Sequence, residues 1–310
     1  MSGATAILCS GQGGQHRDMF RLVGDVPEAA PVFEAAGRLL DGIDPRRFVQ
    51  EAAEAALFAN RAGQVLCCTQ ALAAWAMLGD GRPDRVVLAG YSVGELTAWG
   101  CAGWFDPAQT LHLAAERAAA MDRATRPGAA LAAIVGLRRE ALEALLRAHA
   151  VEVAIVNGTD SFVVGGPGEA LEACLAAARQ QGATRAGRLR VAVPAHTSLL
   201  AGADTAFEAV LVRQTLRAQA AGVRLLSGID AETMRDPHAG LRKLALQVTT
   251  TIDWAACLEA CREAGATQFL ELGPGGALAR MAAGDAPASA RALEQFHTAD
   301  GVRAWAKQAR

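Results

Sequence analysis

The residue best placed for covalent chemistry is Ser92. It lies in the pattern Gly90-Tyr91-Ser92-Val93-Gly94, between the apolar run 86–89 and a predicted helix. A serine on such a strand-to-helix turn is exposed in a strained conformation, and the first N–H groups of the helix point toward the atom that it attacks. Glycines on both sides leave room for the tight turn. The pattern predicts a nucleophile; the alternative is a structural turn in a glycine-rich chain.

A serine nucleophile needs a base, and histidine is the most frequent one. Of the six histidines, His196 has the most suggestive setting, because it follows a predicted strand and Pro194 and comes at the start of a predicted helix. A residue in such a loop can reach the crevice at the ends of the strands. His16 and His112 remain alternative bases, and His196 itself could be an ordinary residue at a helix N-terminus.

The elements that must position these residues alternate between strands and helices. Glycine-rich turns follow three of the predicted strands, after Ser10, Ala89 and Leu272. This alternation predicts an α/β fold, with a mostly parallel sheet covered on both faces and a ligand crevice at the carboxyl ends of its strands. A helix is predicted over 197–217, and the alanine-rich stretch 286–290 is predicted as a surface connection.

The segment 127–193 has a different rhythm. Strands are predicted at 131–135, 151–156, 162–165 and 188–193, with helices at 138–149 and 168–181. The order βαββαβ is that of a ferredoxin-like unit, which can close into a small two-layer subdomain. We therefore expect an inserted ferredoxin-like subdomain at 127–193, within a larger α/β subdomain formed by 1–126 and 194–310.

Composition excludes several classes of function. The formal net charge of −2 argues against a general nucleic-acid binder. No uninterrupted apolar stretch looks long enough to cross a bilayer, so we expect no membrane-spanning helix. The seven cysteines are odd in number and have no zinc-ligand spacing, so we expect no metal site and interpret them as buried free thiols of a cytoplasmic protein.

Five motifs in order resemble those of the malonyl-CoA:acyl-carrier-protein transacylases and the acyltransferase domains of fatty-acid and polyketide synthases. The resemblance spans essentially the whole chain and implies an α/β-hydrolase-like core with the ferredoxin-like insertion. The motifs are Gly11-Gln12-Gly13-Gly14-Gln15, Gly90-Tyr91-Ser92-Val93-Gly94-Glu95, Arg117 with Met121 four residues later, Pro194-Ala195-His196, and Glu271-Leu272-Gly273-Pro274-Gly275.

The resemblance implies a role for each matched residue. Ser92 would accept the malonyl group as an ester, and His196 would activate Ser92 and protonate the leaving thiol. A backbone carbonyl orients the histidine in this family, and the matching position is Gln247. The backbone N–H groups of Gln12 and Val93 would form the oxyanion hole.

Arg117 would pair with the free carboxylate of the malonyl group, since a guanidinium offers a planar, permanently charged fork. Without the resemblance, the simpler interpretation is a surface arginine paired with Glu116 or Asp122, because most arginines are solvated.

The resemblance also implies the substrates and partners of the enzyme. Malonyl-CoA would be the donor, and the thiol of a phosphopantetheine-type arm on a small acyl carrier protein the acceptor, with no permanently bound cofactor. Tyr91 replaces the usual histidine before the nucleophile, and Ala195 replaces a usual phenylalanine or serine. The strand-to-helix turn around Ser92, called the elbow below, contains Tyr91, and the chain opens with Gly-Gln-Gly-Gly-Gln-His at 11–16. Together these two motifs look most like the malonyltransferase subunit of malonate decarboxylase, so the resemblance implies that the chain is this subunit.

Two alternatives stay open. One is the housekeeping transacylase of fatty-acid biosynthesis, and the other is a serine esterase that uses the same elbow with water as acceptor. A basic rim formed by Arg185, Arg188 and Arg190 could steer an acidic carrier, or could be an ordinary solvated strand edge.

Overall fold

This computed structural model describes residues 3–284 and 289–308, whose strands form two sheets. The strands are β1 (Ala4–Cys9), β2 (Val86–Gly90), β3 (Ala130–Val135), β4 (Glu152–Val156), β5 (Ser161–Gly166), β6 (Arg185–Arg188), β7 (Val223–Leu225), β8 (Ile252–Asp253), β9 (Ala266–Glu271) and β10 (Ala290–Ala292). The helices are α1 (Ala30–Leu39), α2 (Pro45–Glu51), α3 (Glu54–Leu57), α4 (Asn60–Leu78), α5 (Val93–Cys101), α6 (Pro107–Ala124), α7 (Arg139–His149), α8 (Gly168–Gln180), α9 (Ala203–Leu211), α10 (Pro237–Leu246), α11 (Trp254–Glu263), α12 (Ala277–Ala283) and α13 (Ala299–Ala306).

The first sheet is parallel throughout and has the order β10-β9-β1-β2-β7. Cys9 at the end of β1 is opposite Gly90 at the end of β2, and Leu8 is opposite Glu271 at the end of β9. The three glycine-rich turns therefore leave the sheet side by side at its carboxyl edge, where such sheets bind ligands. The predicted mixed α/β fold with a parallel core is confirmed.

The second sheet has the order β6-β3-β5-β4-β8. Along the chain its elements run β3-α7-β4-β5-α8-β6, which is the predicted βαββαβ order, and the pairs within this run are antiparallel. β8 comes from outside the segment 127–193 and pairs parallel to β4. The sheet therefore has five strands, one more than the predicted βαββαβ unit. The subdomain boundaries at 127 and 193 stay a prediction.

The two faces of the second sheet pack on different cores, because successive side chains of a strand point to opposite faces. On β3, Ala132 and Ile134 join a small cluster with residues of α7 and α8, whereas Leu131 joins the main core. On β5, Val164 faces the small cluster and Val163 the main core. The second sheet is thereby fixed against the parallel sheet unit by a continuous apolar contact.

Helix α4 is the central apolar helix of the main core. By length and hydropathy, the stretch Asn60–Gly81 meets the criterion for a membrane-spanning helix, which the sequence analysis did not expect. However, 83% of its most apolar window is buried within the protein. This is the burial expected of the core helix of a globular fold, which passes the same test of length and composition.

Two predicted elements around His196 are shorter than expected. The predicted strand 188–193 corresponds to β6, which ends at Arg188, because the pairing with β3 becomes irregular there: Leu131 bonds both Leu189 and Val191. The predicted helix 197–217 is a 3₁₀ turn at Ser198–Leu200 followed by α9, with Gly202 between them at φ 90°. The predicted connection 286–290 lies mostly outside the described residues, and Ala290 begins β10.

Candidate active site

Ser92 lies at the junction of β2 and α5. Its backbone has φ 58° and ψ −121°, a region that non-glycine residues rarely adopt and that costs ~1–3 kcal/mol. Neither flanking glycine could carry a side chain: a Cβ on Gly90 would collide with the backbone of Glu95, and a Cβ on Gly94 with the carbonyl of Cys9. The close packing of helix against strands therefore holds the serine in its strained conformation.

His196 lies in the loop after β6, and its ring contacts the serine. The Nε2 atom is 2.8 Å from Ser92 Oγ, and the Nδ1 atom is 2.6 Å from the backbone oxygen of Gln247. Because a carbonyl oxygen only accepts hydrogen bonds, Nδ1 carries the ring proton, and Nε2 turns its lone pair toward the serine hydroxyl. The structure thus brings together three of the residues that the sequence analysis singled out.

The electrostatic environment keeps His196 neutral. Burial lowers its pKa from 6.5 to about 3, and the positive charge of Arg117 lowers it too, while the hydrogen bond to Gln247 acts in the opposite direction. A neutral imidazole with a free lone pair can remove the proton of a hydroxyl group. The pair Ser92 and His196 can therefore act as nucleophile and general base near neutral pH.

The turn after β1 lies directly against the elbow. A Cβ on Gly11 would be 2.8 Å from the carbonyl oxygen of Tyr91 and 3.4 Å from Ser92 Cβ, so only glycine fits this close approach. Among the described residues, the backbone N–H groups of Gln12 and Val93 have no hydrogen-bond acceptor. Two unsatisfied N–H donors beside a nucleophile are what an oxyanion hole requires.

Arg117 of α6 is fully buried, with its guanidinium beside the serine. Nη1 donates to Gln64 Oε1 at 2.9 Å and contacts Met121 Sδ at 3.3 Å. Nη2 donates to Gln247 Oε1 at 3.2 Å and lies 3.5 Å from Ser92 Oγ. All of these acceptors are uncharged, and the Nε atom has no partner among the described residues.

Arg117 forms no ion pair within the described part of the chain. Burial lowers its pKa to about 10, so the group is still a cation at neutral pH. The carboxylate of Glu95, one amide away, acts on this pKa in the opposite direction but does not contact the guanidinium. A buried cation with no carboxylate in contact is costly, and the site is therefore suited to an anion that a ligand brings. The alternative of a surface arginine paired with Glu116 or Asp122 is wrong, because the side chain has no exposed area.

The sequence analysis gave no role to two further polar residues of the site, although one of them, Glu95, belongs to the motif around Ser92. Gln64 on α4 holds Arg117, and Glu95 on α5 accepts a hydrogen bond from the side chain of Gln247. Burial raises the pKa of Glu95 to about 7. The sequence carries one signal for them: a charged or amide side chain in an apolar helix usually has a partner, although the sequence does not say which residue that partner is.

The other candidate residues lie apart from this cluster. His16 pairs with Glu294 at 2.7 Å, and His112 is exposed on α6, so neither contacts Ser92. Tyr91 packs edge-on against Trp254 with ring centroids 5.4 Å apart. All seven cysteines are buried and free. No group of three or more potential metal ligands occurs in residues 3–284 and 289–308.

A strained serine, a neutral histidine, unsatisfied backbone donors and a buried cation without an ion pair could together carry out covalent acyl transfer. The family model described as acyl transferase domain matches residues 7–282. The chain therefore belongs to the acyl transferase domain family and is an acyltransferase.

Relatives with known names agree with this class. The malonyl CoA-acyl carrier protein transacylase of Escherichia coli K12 is 30% identical over 206 residues, which is 65% of this chain and just under two thirds (65%) of that protein. The transacylase of the same name from Bacillus subtilis 168 is 28% identical over 284 residues, covering 89% of this chain and 88% of that protein.

Solved structures show the same fold. An acyl-carrier-protein S-malonyltransferase from Burkholderia pseudomallei 1710b superposes with a TM-score of 0.88 at 26% identity, covering 97% of this chain and 99% of that one. The malonyl-transacylase PlMCAT, solved in complex with the type II polyketide acyl-carrier protein AntF, gives a TM-score of 0.87 at 25% identity, covering 99% and 100%.

Proposed function

We propose that this enzyme transfers a malonyl group from malonyl-CoA to the prosthetic-group thiol of an acyl carrier protein, through a malonyl ester on Ser92. The observation that carries the proposal is the Arg117 guanidinium, a buried cation with only uncharged partners, whose Nη2 lies 3.5 Å from the nucleophilic oxygen. An acyl group with a free carboxylate would pair with this cation while its thioester carbon lies beside the serine.

In the first half-reaction the serine is acylated. Ser92 Oγ forms a bond to the thioester carbon, and His196 Nε2 takes the hydroxyl proton. The oxyanion of the tetrahedral intermediate accepts hydrogen bonds from the N–H groups of Gln12 and Val93. The bond between carbon and sulfur then breaks, and the imidazolium returns its proton to the sulfur, so that CoA leaves as the free thiol.

The second half-reaction repeats these steps with another thiol. The thiol at the end of the phosphopantetheine-type arm gives its proton to His196 and attacks the ester carbon. The new thioester forms, the ester bond breaks, and Ser92 Oγ regains the proton. The chemistry needs only these side chains and backbone donors, and so requires no permanently bound cofactor.

We further propose a fatty-acid type acyl carrier protein as the first candidate acceptor. Relatives from Escherichia coli and Bacillus subtilis carry the name malonyl CoA-acyl carrier protein transacylase, which supports an acyl carrier protein as the acceptor. The proposal assigns the enzyme to fatty-acid biosynthesis in the cytoplasm. The second candidate is the malonyltransferase subunit of malonate decarboxylase, whose carrier has a phosphoribosyl-dephospho-CoA arm. The specific observation that favours it is Tyr91, which replaces the usual histidine before the nucleophile.

A serine esterase would use the same elbow with water as the acceptor. Arg117 argues against it, because hydrolysis of neutral esters would leave this buried cation without a function. Rapid hydrolysis of neutral esters, with no requirement for a carboxylate, would favour the esterase instead.

The experiment that tests the proposal follows the malonyl group by mass. The enzyme is incubated with malonyl-, methylmalonyl- or acetyl-CoA, and the intact masses of the enzyme and of both types of carrier are then measured. We expect a single malonyl adduct on the enzyme, and its transfer to a carrier whose prosthetic arm is in place. A malonyl adduct that forms but passes only to the malonate decarboxylase carrier would select the second candidate. The absence of any malonyl adduct would contradict the proposal.

A further inference from the structure

Glu95 is a buried carboxylate that the proposed chemistry does not use. It lies on α5 three residues after Ser92 and has no exposed area. Its Oε2 atom accepts two hydrogen bonds, one from the backbone N–H of Gly228 at 2.9 Å and one from the side-chain nitrogen of Gln247. Its Oε1 atom has no partner among the described residues. Burying such a group is costly, so its contacts with the active site need a reason.

The Gln247 amide joins Glu95 to the arginine of the site. A guanidinium can only donate hydrogen bonds, so the amide oxygen must face Arg117, and the amide nitrogen then faces Glu95. Oε2 stays an acceptor even when the carboxyl group is protonated, because it already accepts the Gly228 N–H. In the reverse orientation, the amide nitrogen of Gln247 would face the N–H groups of Arg117, and its amide oxygen would face Glu95 Oε2. Neither contact could be a hydrogen bond. Glu95 therefore fixes which end of the amide faces the guanidinium.

Gly228 leaves only enough room for this contact. A Cβ at this position would lie 2.6 Å from Glu95 Oε2 and 3.3 Å from the Gln247 side-chain nitrogen. Any side chain at this position would therefore displace the carboxylate, and the absence of a Cβ lets the backbone N–H of Gly228 reach Glu95 Oε2.

We propose that Glu95, acting through the side-chain amide of Gln247, is a positioning residue that aims Arg117 at the carboxylate of the acyl group. The inference rests on the proposed malonyl transfer and deepens it, because it names what selects the charged acyl group over an uncharged one. Gln247 then has two separate functions: its backbone oxygen holds His196, and its side chain holds Arg117.

The test compares two substitutions of Glu95. Glu95→Leu removes the acceptor, whereas the amide oxygen of Glu95→Gln can still accept both hydrogen bonds. Acylation of the enzyme by malonyl-CoA and by acetyl-CoA is measured in single turnovers without carrier, over a range of thioester concentrations. The maximal acylation rate constant is taken as kcat and the half-saturating concentration as KM. For Glu95→Leu we expect the malonyl-over-acetyl ratio of kcat/KM to fall about tenfold, mainly through the KM for malonyl-CoA. Glu95→Gln should keep the ratio within about threefold of the wild type.

Glu271→Leu is the matched control. Glu271 is a buried carboxylate at the same edge of the sheet, but it bonds Ser10 at 2.7 Å and the backbone N–H of Ala279 at 2.8 Å, not Gln247 or Arg117. Its removal should change both thioesters alike. A selectivity loss in Glu271→Leu as large as in Glu95→Leu would overturn the proposal.

A double-mutant cycle with Gln247→Leu keeps the test valid if Glu95→Leu is poorly stable. Both residues act through one amide, so the double variant should lose no more selectivity than Gln247→Leu alone. Additive losses, equal falls for both thioesters, or equal losses in Glu95→Gln and Glu95→Leu would overturn the positioning role. A wild-type enzyme that shows no preference for malonyl-CoA would instead contradict the proposed function itself.

Discussion

Two arginines in different regions of this enzyme differ in burial and in whether a carboxylate contacts them. Arg117, at the carboxyl edge of the parallel sheet, is fully buried and held by the side-chain oxygens of Gln64 and Gln247. Arg188, at the edge of the second sheet, is exposed and forms an ion pair with Glu172 at 2.5 Å. The exposed cation has a carboxylate partner, whereas the buried cation has none within the described residues.

In the proposed function, the difference separates an arginine that binds the substrate from an arginine that belongs to the solvated surface. An exposed ion pair contributes only ~0–1 kcal/mol, because water already solvates both partners. A buried cation loses its hydration, so a carboxylate that reaches it gains far more from pairing. Arg117 is thus a buried cation with no carboxylate partner among the described residues. Substitutions at Ser92, His196 and Arg117 test whether the chemistry and the substrate selectivity depend on this buried site.

The largest effect is expected for Ser92→Ala. Without the hydroxyl oxygen no ester can form, so both acyl-enzyme formation and malonyl transfer should be lost. Intact-mass measurement after incubation with malonyl-CoA checks this directly. A stoichiometric malonyl adduct on the Ser92→Ala protein would contradict the assignment of the nucleophile.

His196→Ala should slow transfer by ~10²–10⁴-fold, the usual contribution of general acid–base catalysis. The serine and the backbone donors stay in place, so a slow residual acylation is expected. Single-turnover rates of acyl-enzyme formation measure the loss. Rates within a few fold of the wild type would mean that another group removes the serine proton.

Arg117→Ala tests whether the buried arginine recognises the carboxylate of the malonyl group. Leaving the substrate carboxylate without its partner costs ~2–5 kcal/mol, or ~30- to several-thousand-fold in kcat/KM for malonyl-CoA. Acetyl-CoA has no carboxylate to lose, so its kcat/KM should fall little or rise, and Arg117→Lys should restore only part of the preference. Equal falls for both thioesters would mean that Arg117 supports the fold and does not recognise the carboxylate.

How much of this site the sequence could predict depends on whether the signal was local. The elbow at Ser92 was visible because the strand, the glycines and the helix are contiguous in the chain. The alternation of strands and helices and the βαββαβ succession followed from periodicity, whereas the strand order within each sheet was not predicted. By contrast, Gln64 contacts Arg117, and Glu95 contacts Gln247, only through tertiary packing of separate helices. No local pattern states which polar residues will be neighbours.

Buried titratable groups also predict a pH dependence of stability. The folded-state pKa of His196 is about 3 against 6.5, so below pH 6.5 the unfolded state binds a proton that the folded state does not. Stability then falls by up to ~1.4 kcal/mol per pH unit. The pKa of Glu95 is raised from 4.5 to about 7, so between pH 7 and 4.5 the folded state keeps a proton that the unfolded state has released, and this contribution grows as the pH falls.

The two contributions oppose each other between pH 4.5 and 6.5. Relative to the wild type, His196→Asn should gain stability as the pH is lowered through this range, and Glu95→Gln should lose it. Urea unfolding at a series of pH values gives both differences. If both variants ran parallel to the wild type, the folded-state pKa values would not be shifted.

The smallest effect is expected at the rim of the second sheet. Of the three arginines there, Arg188 is paired with Glu172, and Arg190 pairs with Glu54 at 3.5 Å while lying over the Phe58 ring. Arg185 is exposed and forms no ion pair within the described residues. The hypothesis that this rim steers an acidic carrier therefore depends mainly on Arg185.

Charge reversal should show whether the arginines of the rim steer the carrier protein or only form a solvated strand edge. Arg185→Glu is expected to slow association with the carrier a few fold at low salt, with a smaller effect for Arg188→Glu, since long-range steering is screened by added ions. Arg224→Glu is the matched control, because Arg224 is also an exposed arginine on an edge strand, β7 of the parallel sheet. If Arg185→Glu and Arg224→Glu change the association rate and its salt dependence alike, the rim has no steering role, and its charges serve only to keep an open strand edge from pairing with other chains.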